Sequence, residues 1–208
     1  MMMIVTRYLR EPDDVEGRLA ELGTALATLL EIRDVAMTAS ANATAFHAAN
    51  AGGTFSYHDG TWALRDRHVR PEGEWEVDRT LGIEAIVNET RSVKIAFQNV
   101  DLACDDTQKP KPRSKKGAGG EKVFGGDLFA GTLPEYAPTP KDGMAAFYLM
   151  VDSKGACELT RPVVKGGTFT GYVERIYLSS GSEFDADSLL APEADPVVEF
   201  YPEVVRKK

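Results

Sequence analysis

The chain has little of what membrane and secreted proteins need. Its longest apolar stretches, such as "MAAFYLMV", are much shorter than the roughly 20 residues of a transmembrane helix. The first residues, "MMMIVTRYLREPDD", lack the basic start, apolar centre and cleavage site of a secretory signal. Hydrophobic residues make up 43% of the chain and charged residues 27%, which is typical of a folded globular protein. These features predict a soluble, cytoplasmic protein with no membrane contact.

Cysteine and histidine are also scarce, which limits metal and redox chemistry. Nothing in the sequence indicates that the two cysteines, Cys104 and Cys157, meet, so buried free thiols are predicted. His47, His58 and His68 lie on separate predicted elements, and neither a CxxC nor an HExxH spacing is present. The sequence therefore predicts no metal site built from these residues.

No catalytic motif is complete. The stretch "KKGAGGEKVFGG" is glycine-rich like a nucleotide-binding loop, but a dinucleotide fingerprint beginning at Gly117 would need glycine where Lys122 stands. A phosphate-binding P-loop would need Gly-Lys-Ser or Gly-Lys-Thr, where this stretch has Gly-Glu-Lys-Val. There is also no GxSxG nucleophile motif. These absences favour a non-catalytic protein with no catalytic residue and no cofactor.

One enzymatic alternative depends on acidic residues. Asp101 lies late in the apolar run "VKIAFQNVDLAC", and Asp105 and Asp106 follow it. Magnesium sites are often built from one or two acids together with a substrate phosphate. A metal-dependent, phosphoryl-processing enzyme using Asp101 and Asp105 is therefore a third-ranked hypothesis. Asp185 and Asp187 form a second acidic pair of the same weak kind.

Basic residues are concentrated in one segment of an otherwise acidic protein. The whole chain carries a net charge of −8, whereas residues 109–122 contain six basic residues and one acid, and so carry +5. Lysines on an extended, proline-containing segment can follow a phosphate backbone. The alternative is a solvated tether. The candidate nucleic-acid-binding residues are Lys109, Lys111, Arg113, Lys115, Lys116 and Lys122.

Hydrophobic spacing predicts helices near the amino terminus. Pro12 and the acids after it are typical of a helix start, and leucines then recur at spacings of three and four, which predicts a helix over 12–33. Its apolar face could pack on the protein's own sheet or on another copy, which would give a homo-oligomer. Residues 34–50 are rich in alanine, which favours helix, and in asparagine, serine and threonine, which favour caps and turns. This composition predicts a second, broken helix ended by Gly52 and Gly53.

The rest of the chain is predicted to be mostly strands. The stretch "FSYHDGTWAL" at 55–64 predicts a β-hairpin around a two-residue Asp59-Gly60 turn. Residues 105–143 lose periodicity and are dense in proline, glycine and lysine, which predicts a long flexible loop. Further strands are predicted at 75–78, 82–87, 92–102, 144–151, 156–164 and 168–178.

Together these patterns predict a single α+β domain over 1–208. An amino-terminal helical region packs on a mostly antiparallel sheet, which the long basic loop interrupts. The first-ranked function is a non-catalytic binding or regulatory protein that acts through protein–protein contacts. The second is a nucleic-acid-associated accessory protein that uses the basic loop 109–122.

Overall fold

The computed structural model describes residues 5–114, 116–124 and 143–182. In these ranges the chain forms four α-helices and one seven-stranded mixed sheet, which confirms the predicted mixed α+β class. None of the helices in these ranges is both long and apolar enough to cross a membrane. The helices are α1 (Pro12–Leu22), α2 (Leu26–Ala41), α3 (Ala51–His68) and α4 (Ala118–Phe124). The strands are β1 (Arg7–Leu9), β2 (Glu76–Asp78), β3 (Ala85–Asn88), β4 (Val93–Asn99), β5 (Ala145–Val151), β6 (Cys157–Lys165) and β7 (Thr168–Ser179).

The strands pair in the order β1-β7-β6-β5-β4-β3-β2. The pairs β1–β7 and β4–β5 are parallel and the other four are antiparallel, so the sheet is mostly antiparallel, as predicted. Each of the six strands predicted from residue 75 onward corresponds to an observed strand, β2 to β7. Both faces of the central strands are buried. On the first face, Ile95 and Phe97 belong to an apolar cluster with residues of α1, α2 and α3. On the second face, Ala96 belongs to another cluster, with residues of α4.

The predicted helix over 12–33 is two helices. Gly23 has a left-handed backbone (φ 77°) that ends α1, and α2 begins three residues later, at Leu26. Val15, Leu19 and Leu22 are buried in the cluster that covers the first face of the sheet. These residues of the predicted apolar face thus pack on the protein's own sheet, and a homo-oligomer contact through this region stays a prediction.

The predicted hairpin over 55–64 is wrong. These residues lie in α3, which runs unbroken from Ala51 to His68 and includes the glycines predicted to end a helix. The reason is packing against the sheet. A Cβ atom at Gly60 would lie 2.6 Å from Cζ of the buried Phe97 ring, so this glycine lets α3 approach β4 closely. Tertiary contact has overridden the turn preference of Asp-Gly.

The long basic loop predicted at 105–143 is not confirmed. Where it is described, the segment covers the second face of the sheet and contains α4. Val100 and Pro112 form a bridge, and the Arg113 N–H donates to the Asn99 carbonyl at 3.3 Å. Flexibility over residues 125–142, which lie outside the described ranges, stays a prediction, as does the single-domain organisation.

Candidate functional site

A cavity of about 250 Å³ lies beside α4. Its walls come from α3, β4, β5, the turn at Leu81 and the segment that leads into α4. Ser114 and Gly117 are exposed, so the cavity opens to solvent where this segment enters the helix. The polar side chains of the lining are Tyr57, Glu84, Gln98, Ser114, Lys116 and Tyr148.

Lys116 is the cation of this cavity. Its backbone N–H donates to the Gly167 carbonyl at 2.8 Å, which fixes the residue against the β6–β7 turn. The side-chain amine donates to Oε1 of Gln98 on β4. The amine also lies 4.7 Å from the centroid of the Tyr148 ring and 6.0 Å from that of Phe169, within the range of cation–π attraction. The amine is therefore held by dipoles and aromatic faces.

A tight backbone contact forms one rim of the cavity. Leu81 has a left-handed backbone (φ 58°, ψ 22°), which is unusual for a residue with a branched side chain. Its carbonyl oxygen occupies the space that a Cβ atom would need at Gly119, so α4 rests directly on this turn. On the opposite side, the ring of Phe124 stacks on Tyr148 with centroids 4.2 Å apart. Both ends of α4 are thus fixed relative to the cavity.

Burial dominates the electrostatics of the cavity. It lowers the pKa of the Lys116 amine to about 8, and no carboxylate among the described residues offsets that effect with an ion pair. Glu84 lines the same cavity, but Arg65 and Arg79 bind its carboxylate and hold its pKa below the usual range. Burial raises the pKa of Tyr148, so this hydroxyl stays protonated at neutral pH. The cavity thus combines a poorly solvated amine with neutral polar groups and with one carboxylate that two arginines already bind.

The structure places the residues of the predicted basic site in two different environments. Lys109, Lys111, Arg113 and Lys122 are exposed, whereas Lys116 is partly buried in the cavity. Lys115 lies outside the described residues. Pro110 is buried, and its carbonyl accepts a hydrogen bond from the Tyr172 hydroxyl. The candidate cations at 109, 111 and 113 therefore lie on a segment that the sheet holds in place.

The acidic residues of the metal hypothesis make hydrogen bonds or ion pairs with other residues of the chain. Oδ1 of Asp105 accepts hydrogen bonds from Thr107 and Gln108 and so caps a turn. Oδ1 of Asp101 accepts from the Lys111 N–H at 2.6 Å, while Asp106 pairs with Arg10. In the described part of the chain, no three of the His, Cys, Asp and Glu residues form a group that could hold a metal ion. The second acidic pair, at 185 and 187, lies outside the described ranges.

Both cysteines are free thiols; Cys157 is buried, as predicted, whereas Cys104 is only partly buried. The Cys104 thiol donates to the Cys157 carbonyl oxygen at 3.0 Å. Burial raises the pKa of the Cys104 thiol to about 12, which disfavours the reactive thiolate. His68 is also engaged, since Nδ1 contacts the Leu64 carbonyl and Nε2 the Thr24 hydroxyl. These three side chains are therefore buried or hydrogen-bonded within the chain.

A buried ion pair lies elsewhere on the second face. The side chains of Arg175 and Glu158 are 1% and 0% exposed, and they form two hydrogen bonds of 2.6 and 3.0 Å. Glu158 also accepts from the Thr160 hydroxyl and the Cys104 N–H. Nη1 of Arg175 donates to the Asp105 carbonyl. The pair is buried and makes further hydrogen bonds to the surrounding chain, which is typical of an ion pair with a structural role.

Two large apolar side chains are open on the helical side of the protein. Phe46, between α2 and α3, is fully exposed, and Trp62 on α3 is 57% exposed. Exposed aromatic residues are common in protein interfaces. The predicted protein–protein contact stays a prediction, with these two exposed aromatic residues as candidates for it.

Sequence reasoning placed Lys116 in a surface island and did not identify Gln98 or Tyr148. The only sequence signal for the cavity is the glycine cluster after Lys116, which permits the close contact of α4 with Leu81.

No protein-family model, curated protein or solved structure matches the chain, so the candidate site is defined by its own geometry.

Proposed function

We propose that the protein is a non-catalytic binding protein, and that the cavity beside Lys116 holds one small, flat ligand with a carbonyl-type oxygen. The observation that carries this proposal is the partly buried amine, which has no carboxylate partner among the described residues. Taking a cation out of water is unfavourable unless it is paired. A ligand oxygen at this position would supply the missing partner.

The size and the walls of the cavity support a ligand with one ring. An apolar protein cavity of about 150 Å³ can hold benzene. The present cavity, at about 250 Å³, has room for such a ring with a polar substituent. Tyr57 and Tyr148 supply aromatic surface, and Gln98 supplies a further polar group for orientation. In ligand pockets, a small number of polar groups commonly fixes the orientation of the ligand.

We expect benzamide and benzoate to bind this cavity and Lys116→Met to weaken that binding at least about tenfold. A hydrogen bond to a charged group contributes about 1.5–3 kcal/mol, which corresponds to this loss. Isothermal titration calorimetry gives the dissociation constants, and amide chemical shifts at Gln98 and Tyr148 report the location. Lys122→Met is the matched control, because Lys122 is exposed and does not line the cavity. Equal affinities for the parent and Lys116→Met would contradict the proposal.

A second candidate function is binding of a single-stranded nucleic acid. Lys109, Lys111 and Arg113 are exposed at alternate positions, and Pro110 between the first two is buried. Successive side chains of an extended segment project to opposite sides, so this alternation is consistent with three cations on one side. This arrangement favours contact with a chain of phosphates over a solvated tether.

We expect a triple variant, Lys109→Ser, Lys111→Ser and Arg113→Ser, to lose retention of short oligothymidylate at about 50 mM salt, where phosphate contacts count strongly. Loss of three contacts should also reduce the logarithmic salt slope by about 2, at roughly 0.7 per contact for single strands. Fluorescence anisotropy over a salt series measures both quantities. Lys154→Ser removes an exposed lysine outside this segment and should retain binding. If the parent shows no binding at low salt, this candidate function is wrong.

A further inference from the structure

We infer that Lys116 captures the carbonyl carbon of a small aromatic aldehyde as an imine, which makes the cavity a site for reversible covalent binding. This inference rests on the proposed function, because the ligand must first enter the cavity. It narrows the ligand class from any flat compound with a carbonyl-type oxygen to one with an electrophilic carbonyl carbon.

The first support is the set of groups around the amine. Its contacts in the described part of the chain are the Gln98 amide oxygen and the rings of Tyr148 and Phe169, and none of these carries a full negative charge. A carboxylate at this position would stabilise the ammonium form and suppress its nucleophilicity.

The neighbouring ionisable groups leave the amine without such a partner. Glu84, on the turn before β3, is held by two arginines, and Oε1 of Glu121 on α4 accepts the Gly167 N–H at 2.8 Å. Tyr57 on α3 and Tyr148 on β5 have pKa values raised by burial, so both face the cavity as neutral phenols. The amine is thus surrounded by neutral groups and by carboxylates that are already bound.

The second support is the protonation of the amine. An ordinary lysine, with a pKa near 10.4, is only about 0.4% neutral at pH 8. Burial lowers the pKa of Lys116 to about 8, so about half of this amine is neutral at that pH. Desolvated lysines are the ones that form imines with carbonyl substrates in enzymes.

The covalent step balances without an oxidant or a reductant. The lone pair of the neutral Lys116 nitrogen forms a bond to the carbonyl carbon, and the carbonyl π electrons move to oxygen, which takes up a proton. The nitrogen loses its protons as the resulting carbinolamine loses water, which leaves a carbon–nitrogen double bond. One aldehyde and one amine thus give one imine and one water. Solvent at the open side of the cavity exchanges the protons and accepts the water.

Reductive trapping tests this inference on the full chain. The protein is incubated with benzaldehyde and sodium cyanoborohydride at pH 7.5, and peptide mass spectrometry measures benzyl transfer to each lysine. We expect Lys116 to be modified at least about tenfold faster than Lys111 and Lys122, which are exposed on the same segment and serve as internal controls. Excess benzamide, which has the same shape but a poorly electrophilic carbonyl, should slow modification of Lys116 and leave that of Lys111 unchanged.

The possible results separate this inference from the proposed function. If benzamide binds in calorimetry but Lys116 is modified no faster than Lys111, the imine inference is overturned and the binding cavity stands. If benzamide neither binds nor protects Lys116, the proposed function fails, and the inference fails with it. In Lys116→Arg, which keeps the positive charge but has no primary amine at this position, the fast-reacting site should be absent and the modification of Lys111 unchanged. Retention of fast modification elsewhere in that variant would assign the reactivity to another lysine.

Discussion

Replacing Arg175 with methionine is expected to lower the free energy of unfolding by about 3–5 kcal/mol, because Glu158 would then be left as a buried, unpaired carboxylate. The two side chains are 1% and 0% exposed, so water cannot replace the lost partner without opening the second face of the sheet. Urea unfolding followed by circular dichroism measures the change.

A double-mutant cycle distinguishes pairing from packing in this network. Glu158→Leu should also be strongly destabilising, since it leaves the Arg175 guanidinium without its bidentate partner. The double variant Arg175→Met with Glu158→Leu should recover much of the loss, because apolar replacements of similar volume are often tolerated where an ion pair was buried. If the double variant loses as much free energy as the two single variants added together, the two side chains are not coupled and charge pairing is not the cause.

The ion pair also explains why residues 101–106 are ordered despite their polar sequence. The Cys104 N–H donates to Glu158, and the Asp105 carbonyl accepts from both Arg175 and Tyr177. The pair therefore links β6 and β7 to the segment that covers them. Its loss should disturb that segment before it disturbs β4 or β5, and hydrogen exchange at Cys104 would report this order.

The strands could be predicted from the sequence because their signals are local. Residues 89–92 form the turn between β3 and β4, and Oδ1 of Asn88, the last residue of β3, accepts the Arg91 N–H. Polar turn residues of this kind separate apolar runs. The same local reasoning failed at Asp59-Gly60. There the glycine serves a contact with Phe97, a residue 37 positions away, and no local pattern contains that information.

The candidate site could not be predicted for a similar reason. Lys116 stands among other basic residues in the sequence, and only the pairing of 99–101 with 111–113 and the contact of α4 with Leu81 place it in a cavity. A row of charges is usually a solvated surface, so composition alone assigned all six cations one role. Tertiary structure separates the amine of Lys116 from the exposed cations at 109, 111 and 113. One segment thus contains two different candidate sites.

Gly60→Val is expected to destabilise the protein by about 3 kcal/mol, through overpacking between α3 and β4. A Cβ atom at this position would lie 2.6–2.8 Å from three atoms of the Phe97 ring, and that ring is 1% exposed and enclosed by the main core. The ring or the helix must therefore move. Gly60→Ala should show a smaller loss in the same direction, because the gain of about 1 kcal/mol in helix propensity offsets part of the clash.

Gly17→Ala is the matched control for this prediction. Gly17 lies within α1 and is exposed, and a Cβ atom there would meet nothing within 4 Å. Only the helix-propensity term applies, so this variant should gain up to about 1 kcal/mol. Thermal and urea unfolding of the three variants separate propensity from packing. The close approach of α3 to β4 would be contradicted if Gly60→Ala stabilised the protein as much as Gly17→Ala does, because the Phe97 ring would then not restrict the position.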